Sequence, residues 1–193
     1  RSLLFAPGNH PRKVEKVFQV GADVVILDLE DAVAIAEKPA TRAIIVDALK
    51  KKHRGLGYVR INSLDTEFAW GDFAEVVGAW VDGIVLPKVE TAGQLQTADW
   101  VLAQLERENG MEIGSIDLLP IIETGLGLHN IEAITMAGTR IKRVSFGAGD
   151  FTRDMNLLWT GPEQELAYAR GRIVLASRAA GIESPIDSVF IDL

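Results

Sequence analysis

Residues 118–150 read LLPIIETGLGLHNIEAITMAGTRIKRVSFGAGD. The apolar run Leu118–Ile122 closes on Glu123, room for one helix follows, and a second apolar run, Val144–Gly147, leads into Asp150. Such a run, a polar turn, a helical stretch and another run make a βα repeat. Outward from it the pattern recurs at Ser2–Ala6, Val24–Leu29, Tyr58–Ile61 and Gly83–Pro87, and again at Ser188–Ile191. Between the strand candidates, Leu95, Ala98, Leu102 and Leu105 keep one helix face apolar. Leu166, Ala169, Ile173, Ala176 and Ala180 do the same for the last long helix, so both helices can cover a sheet.

Runs that are apolar on both faces belong to strands buried on both sides, as in a parallel sheet between helices. Alternating strands and helices leave a closed barrel or an open doubly wound sheet. Polar residues gather at the C-terminal end of nearly every strand, in Leu27–Asp31, Val59–Asn62, Val85–Glu90, Ile121–Thr124 and Phe146–Asp150. A barrel mouth produces such a ring, whereas an open sheet collects polar groups chiefly at one switch point. The expected fold is therefore an α/β, TIM-type (β/α)8 barrel, read as one domain over residues 1–193. A complete barrel usually needs about 250 residues, so the chain is short of a full one.

The 193 residues are 48% hydrophobic and 24% charged, the composition of a folded domain. No apolar run reaches the ~18 residues of a membrane span, and the N-terminus lacks signal-peptide character, so a cytoplasmic protein without a membrane partner is expected. The absence of cysteine removes disulfides, thiolate metal sites and cysteine nucleophiles. A net charge of −7 opposes general attraction to nucleic acid. Local basic patches remain at Arg12, Lys13 and Lys16 and at Lys50–Arg54, the second reading as the solvated end of a helix.

Glu123 and Asp150, 27 residues apart, sit at the ends of successive strands. Neighbouring parallel strands lie about 4.8 Å apart, close enough for both carboxylates to bind one ion at the ~2.1 Å typical of Mg2+. Waters or substrate oxygens would complete the octahedron, which makes the site open and catalytic. Taken singly, each carboxylate could instead cap the following helix. Gly147 and Gly149 let backbone approach a ligand carboxylate, or else serve tight packing at the turn.

Arg60, ending Tyr-Val-Arg-Ile-Asn, offers a planar cation to a carboxylate or an enolate oxygen, or a structural ion pair to Glu30 or Asp31. In Leu-Asp-Leu-Glu-Asp, strand alternation sends Asp28 and Glu30 to one face, where one can orient Arg60 or a metal-bound water. Lys88, after Leu-Pro, reads alternatively as a Schiff-base lysine of a metal-free aldolase. His10, His53 and His129 lack metal-ligand spacing, and His53 in its lysine run reads as surface. Pro7–Arg12 is a turn into a helix start, suited to phosphate or merely capped.

Together, Arg-Ser-Leu-Leu-Phe-Ala-Pro-Gly-Asn, Leu-Asp-Leu-Glu-Asp-Ala-Val, Val-Arg-Ile-Asn, Leu-Pro-Lys-Val-Glu, Ile-Glu-Thr-Gly-Leu-Gly-Leu and Phe-Gly-Ala-Gly-Asp-Phe resemble, in order, the citrate lyase β-subunit and malyl-CoA lyase family within the HpcH/HpaI aldolases. The resemblance implies a TIM barrel of the phosphoenolpyruvate/pyruvate type. It also implies Mg2+, or Mn2+ in its place, on Glu123 and Asp150, with Arg60 stabilising an enolate oxygen. Glu30 and Asp31 would support catalysis; Lys88 and Gly149 would line the substrate site, and Arg12 and Lys16 would lie near the phosphates of CoA. Such enzymes cleave or form citryl, malyl or citramalyl thioesters of CoA or acyl carrier protein, giving an acyl thioester and a 2-oxo acid, and assemble as trimers or hexamers. The resemblance also implies an eighth strand and a C-terminal lid past Asp192, often bearing a catalytic acidic residue, and both are expected to be missing from these 193 residues. Two other readings stand beside this one: a class II aldolase acting on free 2-oxo acids, and a non-catalytic metal-binding assembly subunit.

Overall fold

A computed structural model describes residues 2–189. By internal contact the chain forms two compact units, one of Arg1–Leu86 with Trp100–Leu118 and one of Pro87–Asp99 with Leu119–Leu193. In the first, β1 (Leu3–Pro7), β2 (Val24–Asp28), β3 (Leu56–Arg60) and β4 (Gly83–Leu86) alternate with α1 (Pro11–Val17), α2 (Lys38–Leu49) and α3 (Ala69–Val76). The pairs β1–β2, β2–β3 and β3–β4 are parallel, and the β2–β3 register sets Asp28 opposite Arg60. Each sequence-predicted strand here is found to within about two residues at its ends.

β-Branched and leucine side chains build these strands because both faces of a central parallel strand are covered. All five residues of β2 are buried, and so are all four of β4. β1 departs from the expectation: Leu4 and Phe5 are 37% and 38% exposed. It stands at the end of the strand order β1-β2-β3-β4-β5-β6, where a described strand pairs on one side only.

The second unit contains β6 (Ser145–Phe146), α5 (Gly125–His129), α6 (Ile131–Thr135), α7 (Ala148–Asp154) and α8 (Ala167–Ala179). Two elements, α4 (Ala92–Glu108) and β5 (Asp117–Ile122), begin in one unit and end in the other. β5 is buried throughout and pairs in parallel with β6. The apolar helix faces are placed as predicted, with Leu95, Ala98 and Leu102 at 0% exposure and Leu166, Ala169, Ile173 and Ala176 at 1% or less, except that Ala180 lies past the end of α8 and is half-buried. Of the expected last strand, Phe190 and Ile191 lie outside the described residues; Ser188 and Val189 carry no strand, and a single parallel bridge joins Ser145 to Ile186. Among the described residues no helix is long and apolar enough to cross a membrane.

One polar network in the first unit was not foreseen. Lys38 opens α2 yet is 7% exposed, and its ammonium donates to Leu29 O (2.9 Å), Glu30 O (2.6 Å) and Asn62 Oδ1 (2.6 Å). Burial lowers the Lys38 pKa, while the charges of Glu30, Asp28, Asp72 and Asp31 oppose that shift. Asp72, fully buried, accepts from Asn62 N (2.8 Å), Asn62 Nδ2 (2.6 Å) and Arg42 Nε (2.8 Å). Removing Asp72 leaves Arg42 its second partner Glu75 at 2.8 Å but strips the acceptor from the Asn62 N–H, Asn62 Nδ2 and Arg42 Nε donors, and buried donors left unsatisfied are costly. Asp72→Ala is therefore expected to cost about 3–5 kcal/mol, read as a lower denaturant midpoint in equilibrium unfolding.

His53 also differs from its predicted surface role. Its ring stacks on Phe18 at a centroid distance of 4.3 Å and is half-buried. Lys51, Lys52 and Arg54 around it are exposed, as the solvated helix end requires, and Lys50 lies 4.1 Å from the Trp80 ring centroid.

Candidate metal centre

Glu123 is the first residue beyond β5, and although a carboxylate it is only 3% exposed. Two backbone features of the second unit hold it there. Lys88 N–H donates to Glu123 Oε1 at 2.8 Å, a charge-assisted bond of the stronger kind. On the other side stands Gly147, whose N–H extends the strand ladder to Ile122 O at 3.0 Å. A Cβ at residue 147 would fall 2.5 Å from Glu123 Oε2 and 2.7 Å from Glu123 Cβ. The glycine is thus required by the carboxylate itself, which decides between the two readings of this turn in favour of close packing.

Gly149 is less confined: a Cβ there would meet only the Trp159 ring, at an ordinary 3.7 Å. Asp150 lies one residue further on, half-buried in the first turn of α7, where negative charge also suits the helix dipole. Among the described residues its carboxylate takes no hydrogen bond or ion pair. Thr124 caps α5 by accepting from Gly127 N at 3.0 Å, and Asp154 accepts from Gly125 N at 2.7 Å. Sequence reading missed both supports, although Thr before Gly-Leu-Gly is a cap signal.

Lys88 has a left-handed backbone, with φ of 52°. That conformation costs a non-glycine residue on the order of 1–3 kcal/mol and persists only where its surroundings impose it. The neighbours do so: Val89 N–H bonds Ile121 O at 3.2 Å, and Asn130 Nδ2 donates to Glu90 O at 2.9 Å. The lysine singled out as a Schiff-base candidate is thus tied to Glu123 through its main chain.

Among the described residues no group of three or more His, Cys, Asp and Glu side chains could enclose a metal ion. Two carboxylates and no thiolate or imidazole are the donor set of a hard, oxygen-seeking cation that keeps open positions. Glu123 and Asp150 fit Mg2+ in that chemical sense.

The charge cluster of the first unit is built across the register pair of β2 and β3. Arg60 Nε donates to Asp28 Oδ1 at 2.7 Å and Nη2 to Asp28 Oδ2 at 2.6 Å, while Nη1 lies 3.1 Å from Glu30 Oε2. Asp28 also accepts from the backbone N–H groups of Glu30 (2.9 Å) and Ala32 (3.0 Å). Burial pushes the Asp28 carboxyl upward, but the Arg60 hydrogen bonds and charge, with those two N–H groups, outweigh it and leave the pKa below the ordinary value. The structure therefore brings Asp28 and Glu30 together on Arg60, as strand alternation predicts. Asp31 is exposed.

Arg12 and Lys16 are exposed on α1. A groove of about 870 Å3 beside that helix is lined by Phe18, His53, Lys51 and Lys52 but also by Glu15 and Asp47, and neither Arg12 nor Lys16 lines it.

The profile of the HpcH/HpaI aldolase/citrate lyase family matches residues 1–193. The chain belongs to this family. It is 40% identical over 195 residues to the citrate lyase subunit beta of Leuconostoc mesenteroides subsp. cremoris, with all of the chain and 64% of that protein aligned. A second relative is the L-malyl-CoA/beta-methylmalyl-CoA lyase of Rhodobacter capsulatus, 36% identical over 214 residues, with all of the chain and 67% of the enzyme covered. Among solved structures, the citrate lyase beta subunit of M. tuberculosis complexed with oxaloacetate and magnesium superposes with a TM-score of 0.78 at 29% identity, covering 98% of the chain and 78% of its own. RipC from Yersinia pestis gives 0.79 at 32% identity, with 100% and 77% covered. The chain thus spans about two thirds of the length of the citrate lyase subunits it matches. HpcH/HpaI membership and the parallel β/α order agree with the fold class read from the strand ends.

Proposed function

We propose that the protein is a Mg2+-dependent carbon–carbon lyase that cleaves or forms a β-hydroxyacyl thioester of the citryl, malyl or citramalyl type. The products are an acyl thioester, carried on CoA or acyl carrier protein, and a 2-oxo acid. The observation that carries this reading is the buried Glu123 carboxylate, fixed between the Lys88 N–H and Gly147 in a chain whose relatives are lyases. Its structural neighbours support it, being complexes with magnesium and oxaloacetate or pyruvate, and with magnesium, acetoacetate and coenzyme A. In this reading the six strands are part of a single (β/α)8 barrel domain of the phosphoenolpyruvate/pyruvate type, in a cytoplasmic trimer or hexamer.

In the cleavage direction the β-hydroxyl loses its proton and the bond between the α and β carbons breaks. The bond pair becomes a thioester enolate while the hydroxyl carbon becomes the carbonyl of the 2-oxo acid, and the enolate carbon then gains a proton. Mg2+, when bound, supplies positive charge to the oxygens of the 2-oxo acid. Glu123 and Asp150 would hold that ion. The backbone at Gly149 receives the substrate carboxylate, and Arg60 stabilises the enolate oxygen, each preorganised contact contributing about 3 kcal/mol to barrier lowering. Asp28 and Glu30 fix the guanidinium plane, so little reorganisation is needed when charge develops. Asp31 is assigned to catalysis beside Glu30, and Arg12 and Lys16 to the carrier's phosphates.

The test is turnover of malyl-, citramalyl- and citryl-thioesters with Mg2+, followed by release of the 2-oxo acid. At least one substrate is expected to turn over and to stop on chelation of the metal. Aldol activity on free pyruvate without CoA affinity would instead make the protein a class II aldolase. Metal binding without any turnover would make it an assembly subunit.

A further inference from the structure

We propose that Lys88 positions the metal ligand Glu123 through its main chain, the left-handed conformation of residue 88 being what keeps its N–H on Glu123 Oε1. This rests on the reading that Glu123 holds a divalent cation. After Pro87, the chain must turn so that two successive N–H groups face β5. Val89 N–H takes the backbone acceptor Ile121 O, and Lys88 N–H takes the carboxylate two residues further on. A right-handed or extended residue 88 would swing its peptide plane away from Oε1. Val89 O packs where a Cβ on Gly127 would fall 2.5 Å away, so the turn is pinned from its other side as well. One Glu123 oxygen is thereby fixed by residue 88 and the other is bounded by Gly147, which leaves the carboxylate a single orientation for a cation.

If the conformation matters rather than the ammonium group, substitutions should rank by their tolerance of positive φ. Glycine adopts it freely and asparagine readily; alanine resists it and a β-branched residue resists it most. Comparing neutral variants with each other removes the effect of the lysine charge. Mn2+ affinity measured by calorimetry, and by electron paramagnetic resonance of free Mn2+, is expected to be similar for Lys88→Gly and Lys88→Asn. It should fall several-fold in Lys88→Ala and about 10–100-fold in Lys88→Val, the range seen when groups orienting a metal ligand are lost. Equal affinities across the four variants would overturn the proposal, as would an imine on Lys88 trapped by borohydride in the presence of pyruvate. Should Lys88→Val fail to fold, the Gly and Ala pair, differing by one methyl, carries the same decision. Glu123→Gln separates the two levels. Unchanged Mn2+ affinity in that variant would remove Glu123 from the metal site, whereas lost affinity there with a flat Lys88 series would sink only the role of residue 88.

Discussion

Glu123→Gln is expected to reduce Mg2+-dependent turnover roughly a thousandfold while leaving the protein folded, an effect of the size found when one preorganised electrostatic contact is removed from an active site. Glutamine preserves the side chain's length and keeps a carbonyl oxygen for the Lys88 N–H. The charge is lost and one oxygen becomes an NH2 donor, and the bond from the Lys88 N–H weakens by about 1 kcal/mol. Gly147 still leaves the space the side chain needs. Stability and activity should therefore separate: the thermal midpoint moves by a few degrees, whereas a metal titration of the rate requires far more Mg2+ or never saturates. Glu123→Ala is the less informative substitution, because it also empties a buried position and leaves the Lys88 N–H without its acceptor. A Gln variant with normal turnover at unchanged Mg2+ dependence would exclude Glu123 as a metal ligand, and with it the lyase mechanism proposed above.

Much of the placement of these residues is legible because strand ends announce themselves. The apolar run Leu118–Ile122 predicts both β5 and the place where Glu123 emerges, and Val24–Leu29 with Tyr58–Ile61 predicts the pair that carries Asp28 and Arg60. What sequence reading misses depends on partners far along the chain or on backbone state. Lys38 looks like an exposed residue at a helix start; it is buried because Asn62 and the Leu29 and Glu30 carbonyls converge on its three N–H groups. His53 sits in a run of cations, yet Phe18, 35 positions earlier, draws its ring inward. The positive φ of Lys88 has no local signature, since positive φ is usually announced by glycine or asparagine. β6 shrinks to Ser145–Phe146 from the predicted Val144–Gly147 because Gly147 already turns toward α7 as its N-cap.

Arg60→Met carries the second large effect, and it should appear in activity and stability together. Loss of the cation assigned to the enolate oxygen is expected to lower kcat by about 10²–10³-fold with a smaller change in KM, because the interaction develops with the transition state. The same substitution strips the bidentate partner from Asp28, whose side chain is 3% exposed, and the ion pair from Glu30 at 7%. An uncompensated buried carboxylate costs about 3–5 kcal/mol at neutral pH. The pH dependence identifies the group responsible. With Arg60 present, the Asp28 pKa is depressed in the folded state, so its contribution is present above the unfolded value of about 3.9 and is lost as pH falls through the folded value. Without Arg60, burial is opposed by the two backbone N–H groups and the more distant Lys38 charge, the folded pKa rises, and that contribution shrinks. The stability gap between parent and variant should thus be widest near pH 7 and should narrow as Asp28 protonates in acid, as followed by denaturant unfolding between about pH 7 and pH 3. A gap that stayed constant over this range would place the instability in lost packing against Phe5, whose ring centroid lies 5.2 Å from Arg60 Cζ, rather than in the buried charge.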